Sequence, residues 1–88
     1  PENGAYLVAT THGYGMLNVG IRPTLHNGQQ RSIEVHIFDY EGDLYGQTLT
    51  VKLLRHLRQE REFDTIESLH RQLIADEAQC RQIIHSIL

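Results

Sequence analysis

Glu34 stands third in "SIEVHIFDY" (Ser32–Tyr40), a run whose period-two pattern reads as a strand. In that reading Ile33, Val35, Ile37 and Asp39 share one face, and Glu34, His36, Phe38 and Tyr40 share the other. A carboxylate in the middle of a strand is held on rigid backbone. If its face lines a cavity, desolvation raises its pKa and fits it for general-base work near neutral pH. If its face is open to water, it is an ordinary carboxylate paired with a cross-strand Arg or Lys. The pattern alone leaves both readings open.

The other residues capable of chemistry give weaker patterns. His12, His26, His36, His56, His70 and His85 fall in different elements with no HxxxH or HExxH spacing, which predicts no metal site. No serine sits on a GxSxG elbow. Cys80 lies on an apolar helical stripe and reads as a small core residue rather than a nucleophile. "THGYG" has two glycines but no following Lys or Ser/Thr and no helix to open, so it is a turn and not a phosphate loop.

The elements that would position Glu34 can be read along the chain. Ala5–Thr10 and Tyr14–Val19 are β-favouring runs around a "THG" hairpin turn. "GIRPTLHNGQQR" (Gly20–Arg31) holds four turn formers and predicts a loop of about ten residues. Ser32–Tyr40 is a third strand, "EGDLYG" a turn, and Gln47–Leu57 a fourth strand with Leu49, Val51 and Leu53 on one face. Four strands joined by short turns suggest an antiparallel meander, closed into a barrel or paired with further strands to protect its edges. Asp64 and Glu67 form a D-x-x-E capping box that starts a helix near Thr65. Its apolar stripe (Ile66, Leu69, Leu73, Cys80, Ile84, Ile87) is interrupted at Asp76 and Glu77, where a kink or a break into two helices is expected.

Composition bounds the function. Eighty-eight residues with 40% apolar and 22% charged side chains make one folded domain. A net charge of −3, with seven arginines and the single Lys52 scattered, argues against a broad nucleic-acid or anionic-membrane surface. The lone cysteine predicts a reducing, cytoplasmic setting, and no apolar run approaches the roughly 20 residues that span a bilayer. The chain opens at Pro1 in a turn, "PENG", and reads as a piece of a longer polypeptide.

Several strings belong together: "NVGIRPT" (Asn18–Thr24), "IEVHIFDYEGDLYGQTLTV" (Ile33–Val51), "LRQEREFDTIESL" (Leu57–Leu69) and the opening "PENGAYLV". In order and spacing they resemble the C-terminal riboflavin kinase module of bacterial bifunctional riboflavin kinase/FAD synthetases, over nearly the whole chain. The resemblance implies a mainly β fold with a C-terminal helix, part of a six-stranded Greek-key barrel: about four strands, then one or two helices. It implies transfer of the γ-phosphoryl group of ATP, with Mg2+, to the 5′-hydroxyl of riboflavin to give FMN. Glu34 takes the place of the base that receives the ribityl hydroxyl proton. Arg58, Glu60 and Phe63 match the R-x-E-x-x-F flap over the flavin, where Arg58 can pair with phosphate oxygens and Phe63 can cover the ring. Asn18 falls on the flavin side, and Leu44 and Tyr45 of "DLYG" on the nucleotide side.

One departure stands out. The family's glycine-rich segment ending in P-T-A-N, whose Thr and Asn hold the metal and the ATP phosphates, is not in residues 1–88, nor is the adenylyltransferase domain. Residues 1–88 are therefore expected to be the C-terminal part of a riboflavin kinase domain, with little kinase activity alone. The partners implied are riboflavin, ATP and the N-terminal part of the same polypeptide, and strands without partners make a homodimer plausible. The alternatives are a flavin-binding or regulatory barrel without catalysis and a small nucleic-acid-binding barrel, the latter disfavoured by charge.

Overall fold

The computed structural model describes residues 1–23 and 29–88. Four strands, β1 (Gly4–Thr10), β2 (Gly13–Pro23), β3 (Gln29–Ile37) and β4 (Val51–Gln59), precede one helix, α1 (Ile66–Ile87). The turn between β1 and β2 is the expected hairpin: the Thr10 hydroxyl accepts from the His12 amide at 3.1 Å and donates to the Gly13 carbonyl at 2.7 Å.

The expected meander is not what forms. All pairs are antiparallel, but the sheet order is β3-β2-β1-β4, so β4 pairs with β1 instead of with β3. Three successive strands followed by a fourth that returns to lie beside the first is a Greek key. The physical reason lies in "AYLVA": Ala5, Tyr6, Leu7 and Val8 are all buried, so β1 is apolar on both faces and needs a strand on each edge. The return is possible because residues 38–50 are all connection; Gln47–Thr50, expected in the fourth strand, lie outside it. This connection is pinned where the Thr11 amide donates to the Thr50 carbonyl and the Thr50 amide to the Thr11 hydroxyl, both at 3.2 Å.

The loop expected over Gly20–Arg31 is also shorter. The ladder runs through Gly20↔Ser32, Ile21↔Arg31 and Arg22↔Gln30 to Pro23↔Gln29. The turn residues proposed at Asn27 and Gly28, with Thr24 and His26, lie outside the described residues.

The two faces of the sheet carry separate cores. On one, Tyr6, Val8, Leu17 and Val19 pack with Val35 and Val51; on the other, Leu7, Met16 and Phe38 pack against Cys80 of α1, joined by Leu57, Leu73, Ile83 and Ile84. β4 carries two register shifts against β1, which leave Leu54 and Leu57 as extra residues. Each extra residue reverses the in-out phase, so the second shift restores what the first disturbed. Arg58, opposite Ala5, thereby returns to the face on which α1 packs.

α1 departs from expectation at both marked points. Its N-cap is Thr65, not Asp64: the Thr65 backbone is extended (φ −136°, ψ 155°) and its hydroxyl accepts from the Ser68 amide at 3.0 Å. The helix then runs unbroken through Asp76 to Ile87. Asp76 does not interrupt it because its carboxylate is turned inward and neutralised by Arg58. Among the described residues no helix is long and apolar enough to cross a membrane.

Candidate functional site

β3 answers the question its sequence raises. Val35 packs into the first core, whereas Glu34 and His36 face the space between the sheet and α1, where both remain exposed, so this face borders a cavity that is open to water. The strand stops at Ile37; Phe38 is buried against α1, and Asp39 takes a positive φ of 57° that ends the alternation before Tyr40.

Two cavities meet at Glu34. The smaller, about 180 Å³, is walled by Asn18, Glu34, Arg58, Glu60 and Phe63 together with Gly4, Gly20 and Ile21. The larger, about 530 Å³, lies between Met16, Asn18, Glu34, Val35 and His36 on the sheet and Leu69, Leu73, Ile74 and Glu77 on α1. Asn18, Glu34, Leu69 and Leu73 border both. Asn18 and Glu34 are cross-strand partners on β2 and β3, so their side chains project together by pairing geometry. Of the seven residues expected at a site, five thus share one cavity.

Residues 60–64 form a strap from β4 to α1 over the smaller cavity. The Glu60 carboxylate ties it down by accepting from the Ile21 amide at 2.8 Å and from the Asn3 amide nitrogen at 3.4 Å. Gly20 makes this possible, since a Cβ there would lie 2.5 Å from Glu60 Oε2. Gly4, at φ +142°, lets the β1 backbone pass against the Arg58 carbonyl, where a Cβ would be 2.1 Å away. The Arg61 guanidinium lies 5.4 Å from the Phe63 ring centroid and donates to Gln72 of α1 at 2.6 Å.

Arg58 is clamped along one edge of its guanidinium. Its Nε donates to both Asp76 oxygens at 3.0 and 3.1 Å and its Nη2 to Oδ2 at 2.7 Å, a fork on a carboxylate with 1% exposure. Nη1 also donates to the Gln59 carbonyl at 3.2 Å.

Leu44 and Tyr45 stand apart. They sit in the 38–50 connection, where Asp43 Oδ1 accepts from the Tyr45 amide at 2.8 Å, and they border neither cavity. Tyr45 is 95% exposed. Cys80 is fully buried, and burial, reinforced by the Asp76 and Glu77 carboxylates, pushes its thiol up to about 11, the state of a packing residue and not of a nucleophile. At the far end of β3, Arg81 donates to Asp39 at 3.0 and 3.2 Å and holds its carboxyl below the usual carboxylate range. His36 packs edge-on to Phe38 at 5.7 Å and lies 4.0 Å from Glu77.

Leu69, Leu73 and Asp76, which wall and support the site, are not among the site residues expected from sequence. Their signal was present: positions 69, 73, 76 and 80 step by four, three and four, so Asp76 occupies a place on the inward stripe. A charge at such a place calls for a buried partner.

The chain is similar to known proteins over most of its length. Residues 1–84 match the model of the Flavokinase family, described as riboflavin kinase. An RNA-binding riboflavin kinase, RibR, of Bacillus subtilis (strain 168) is 35% identical over 85% of this chain and 34% of its own length. The bifunctional riboflavin kinase/FMN adenylyltransferases of Pseudomonas fluorescens and Escherichia coli (strain K12) are each 37% identical, over 94% and 77% of this chain. The chain spans 28% and 21% of those two relatives. The crystal structure of a macrolide-efflux protein from Streptococcus pneumoniae superposes with a TM-score of 0.78 over 92% of this chain and 28% of that one, at 35% identity. With a Greek-key sheet, a helix closing its site and a family match over nearly its full length, this chain belongs to the riboflavin kinase family.

Proposed function

We propose that this domain supplies the flavin side and the general base of an enzyme that phosphorylates riboflavin to FMN at the expense of ATP. The observation that carries the reading is the convergence of Glu34, Asn18, Arg58, Glu60 and Phe63 on one cavity. Glu34, on paired backbone, orients the ribityl 5′-hydroxyl and accepts its proton as the oxygen attacks the γ-phosphorus and ADP leaves. Phosphoryl transfer of this kind is governed by positioning and charge stabilisation more than by covalent chemistry at the protein. The apolar walls from Met16, Leu69, Leu73 and Ile74 suit a flat aromatic ring system, and half-buried Phe63 adds a cover. Leu44 and Tyr45 serve the nucleotide; the exposed Tyr45 ring is available for stacking.

The divalent ion is a separate matter. The described residues gather no group of three or more His, Cys, Asp or Glu side chains suited to hold one. In this proposal the P-T-A-N segment elsewhere in the polypeptide holds Mg2+ and the ATP phosphates, so residues 1–88 alone form little or no FMN. A cytoplasmic setting belongs to the same proposal.

The test is conversion of riboflavin to FMN, followed by chromatography, by the full-length polypeptide with ATP and Mg2+. Steady FMN formation is expected. Tight flavin binding with no FMN would instead support a non-catalytic flavin module.

A further inference from the structure

The geometry points to Asp76 as the positioning residue that aims Arg58 into the flavin site; this rests on the function proposed above. Asp76 belongs to α1 and borders neither cavity, yet its carboxylate is buried and its oxygens are taken up by inward-facing partners. Arg58 supplies two of its five N–H groups to Asp76, through Nε and Nη2, and one from Nη1 to the Gln59 carbonyl. The remaining two, one on each terminal nitrogen, have no acceptor among the described residues. A guanidinium clamped along one edge presents its other donors in a fixed plane, and Arg58 does so as a wall of the cavity that holds Glu34.

The carboxylate is itself oriented. Gln72, one turn before Asp76 on α1, donates to Oδ1 at 2.9 Å, and Arg61 fixes the Gln72 amide by donating to its oxygen at 2.6 Å. Asp76 thus holds Arg58 directly and is linked through Gln72 to Arg61, three residues further along the same segment. A lone packing contact would need none of this directionality. The arrangement suits a rigid donor pair for an oxygen of bound flavin or of its phosphate, set before the ligand arrives.

If Asp76 acts through Arg58, the two residues form one unit and their substitutions are not additive. FMN carries both kinds of oxygen, so its affinity, read by the change in flavin fluorescence, is the probe; the riboflavin KM and kcat of the full-length polypeptide are read alongside. Asp76→Asn is expected to weaken FMN binding and raise the riboflavin KM by roughly tenfold or more, the size of one lost charge-assisted hydrogen bond, with kcat little changed. In an Arg58→Met background, Asp76→Asn should change neither quantity further. Unfolding midpoints confirm that each protein is folded at the assay temperature.

If Asp76→Asn does not fold, Arg58→Met/Asp76→Leu, apolar at both positions, replaces it and is compared with Arg58→Met alone. Equal FMN affinities are then expected. Unchanged affinity in Asp76→Asn, or additive losses in the double variants, overturns the assignment. Non-additive loss of FMN affinity in a polypeptide that forms no FMN would uphold it and sink only the kinase reading. A polypeptide that neither binds FMN nor forms it sinks both.

Discussion

At the scale of single residues, chemistry and packing divide along one strand. Glu34 and His36 face the gap beneath α1, while Val35 between them supports the opposite core. This much was legible, because period two fixes which side chains travel together. The alternation could not say that this face, still open to water at Glu34 and His36, also borders a cavity, since that depends on where a helix some thirty residues later comes to rest. Cys80 shows the same division: it sits on the stripe that the sequence marks as core, and its thiol is pushed from its ordinary 9.0 up to about 11. A raised folded-state value means that the unfolded chain loses its thiol proton first as pH rises. The stability contribution is complete below pH 9 and is lost as pH climbs through about 11. Cys80→Ala should therefore show a shallower decline of unfolding midpoint between those pH values than the parent; identical slopes would contradict this.

At the scale of elements, local signals were right in kind and wrong by small offsets. The helix start was visible in "DTIES", where two candidates for the cap stand side by side. Thr65 wins because its extended backbone carries the hydroxyl to the Ser68 amide. Thr65→Ala should cost about 1 kcal/mol in chemical denaturation, the usual worth of an N-cap, whereas Asp64→Ala should cost much less. The reverse order would restore the D-x-x-E box. The continuity of α1 could not be read locally, because the partner that lets Asp76 stay inside lies eighteen residues earlier on β4. Breaking that pair by removing one member should cost more than any surface substitution on α1, of the order of 3–5 kcal/mol.

At the scale of the molecule, the Greek key was implied by resemblance and hidden from strand counting. Short turns suggest a meander, but a strand apolar on both faces is central, and "AYLVA" is such a strand. Among the described residues β3 and β4 each have one free edge, and Ile21, Ile33 and Leu53 are substantially exposed beside the first core. Free edges with apolar neighbours favour pairing with further strands. Residues 1–88 produced alone should elute in size-exclusion chromatography above monomer size at high concentration, and the full-length polypeptide should not share this concentration dependence. A monodisperse monomer at all concentrations would show that the sheet needs no further strand.

If the carboxylate of Glu34, fixed on β3, is the base in riboflavin phosphorylation, its removal must appear in the chemical step. The decisive quantity is the kcat for FMN formation of the full-length polypeptide carrying Glu34→Gln, an isosteric change on unaltered backbone. A fall of about 10²–10⁴-fold, the ordinary worth of a general base, is expected, with FMN affinity retained. A kcat close to that of the parent would contradict it.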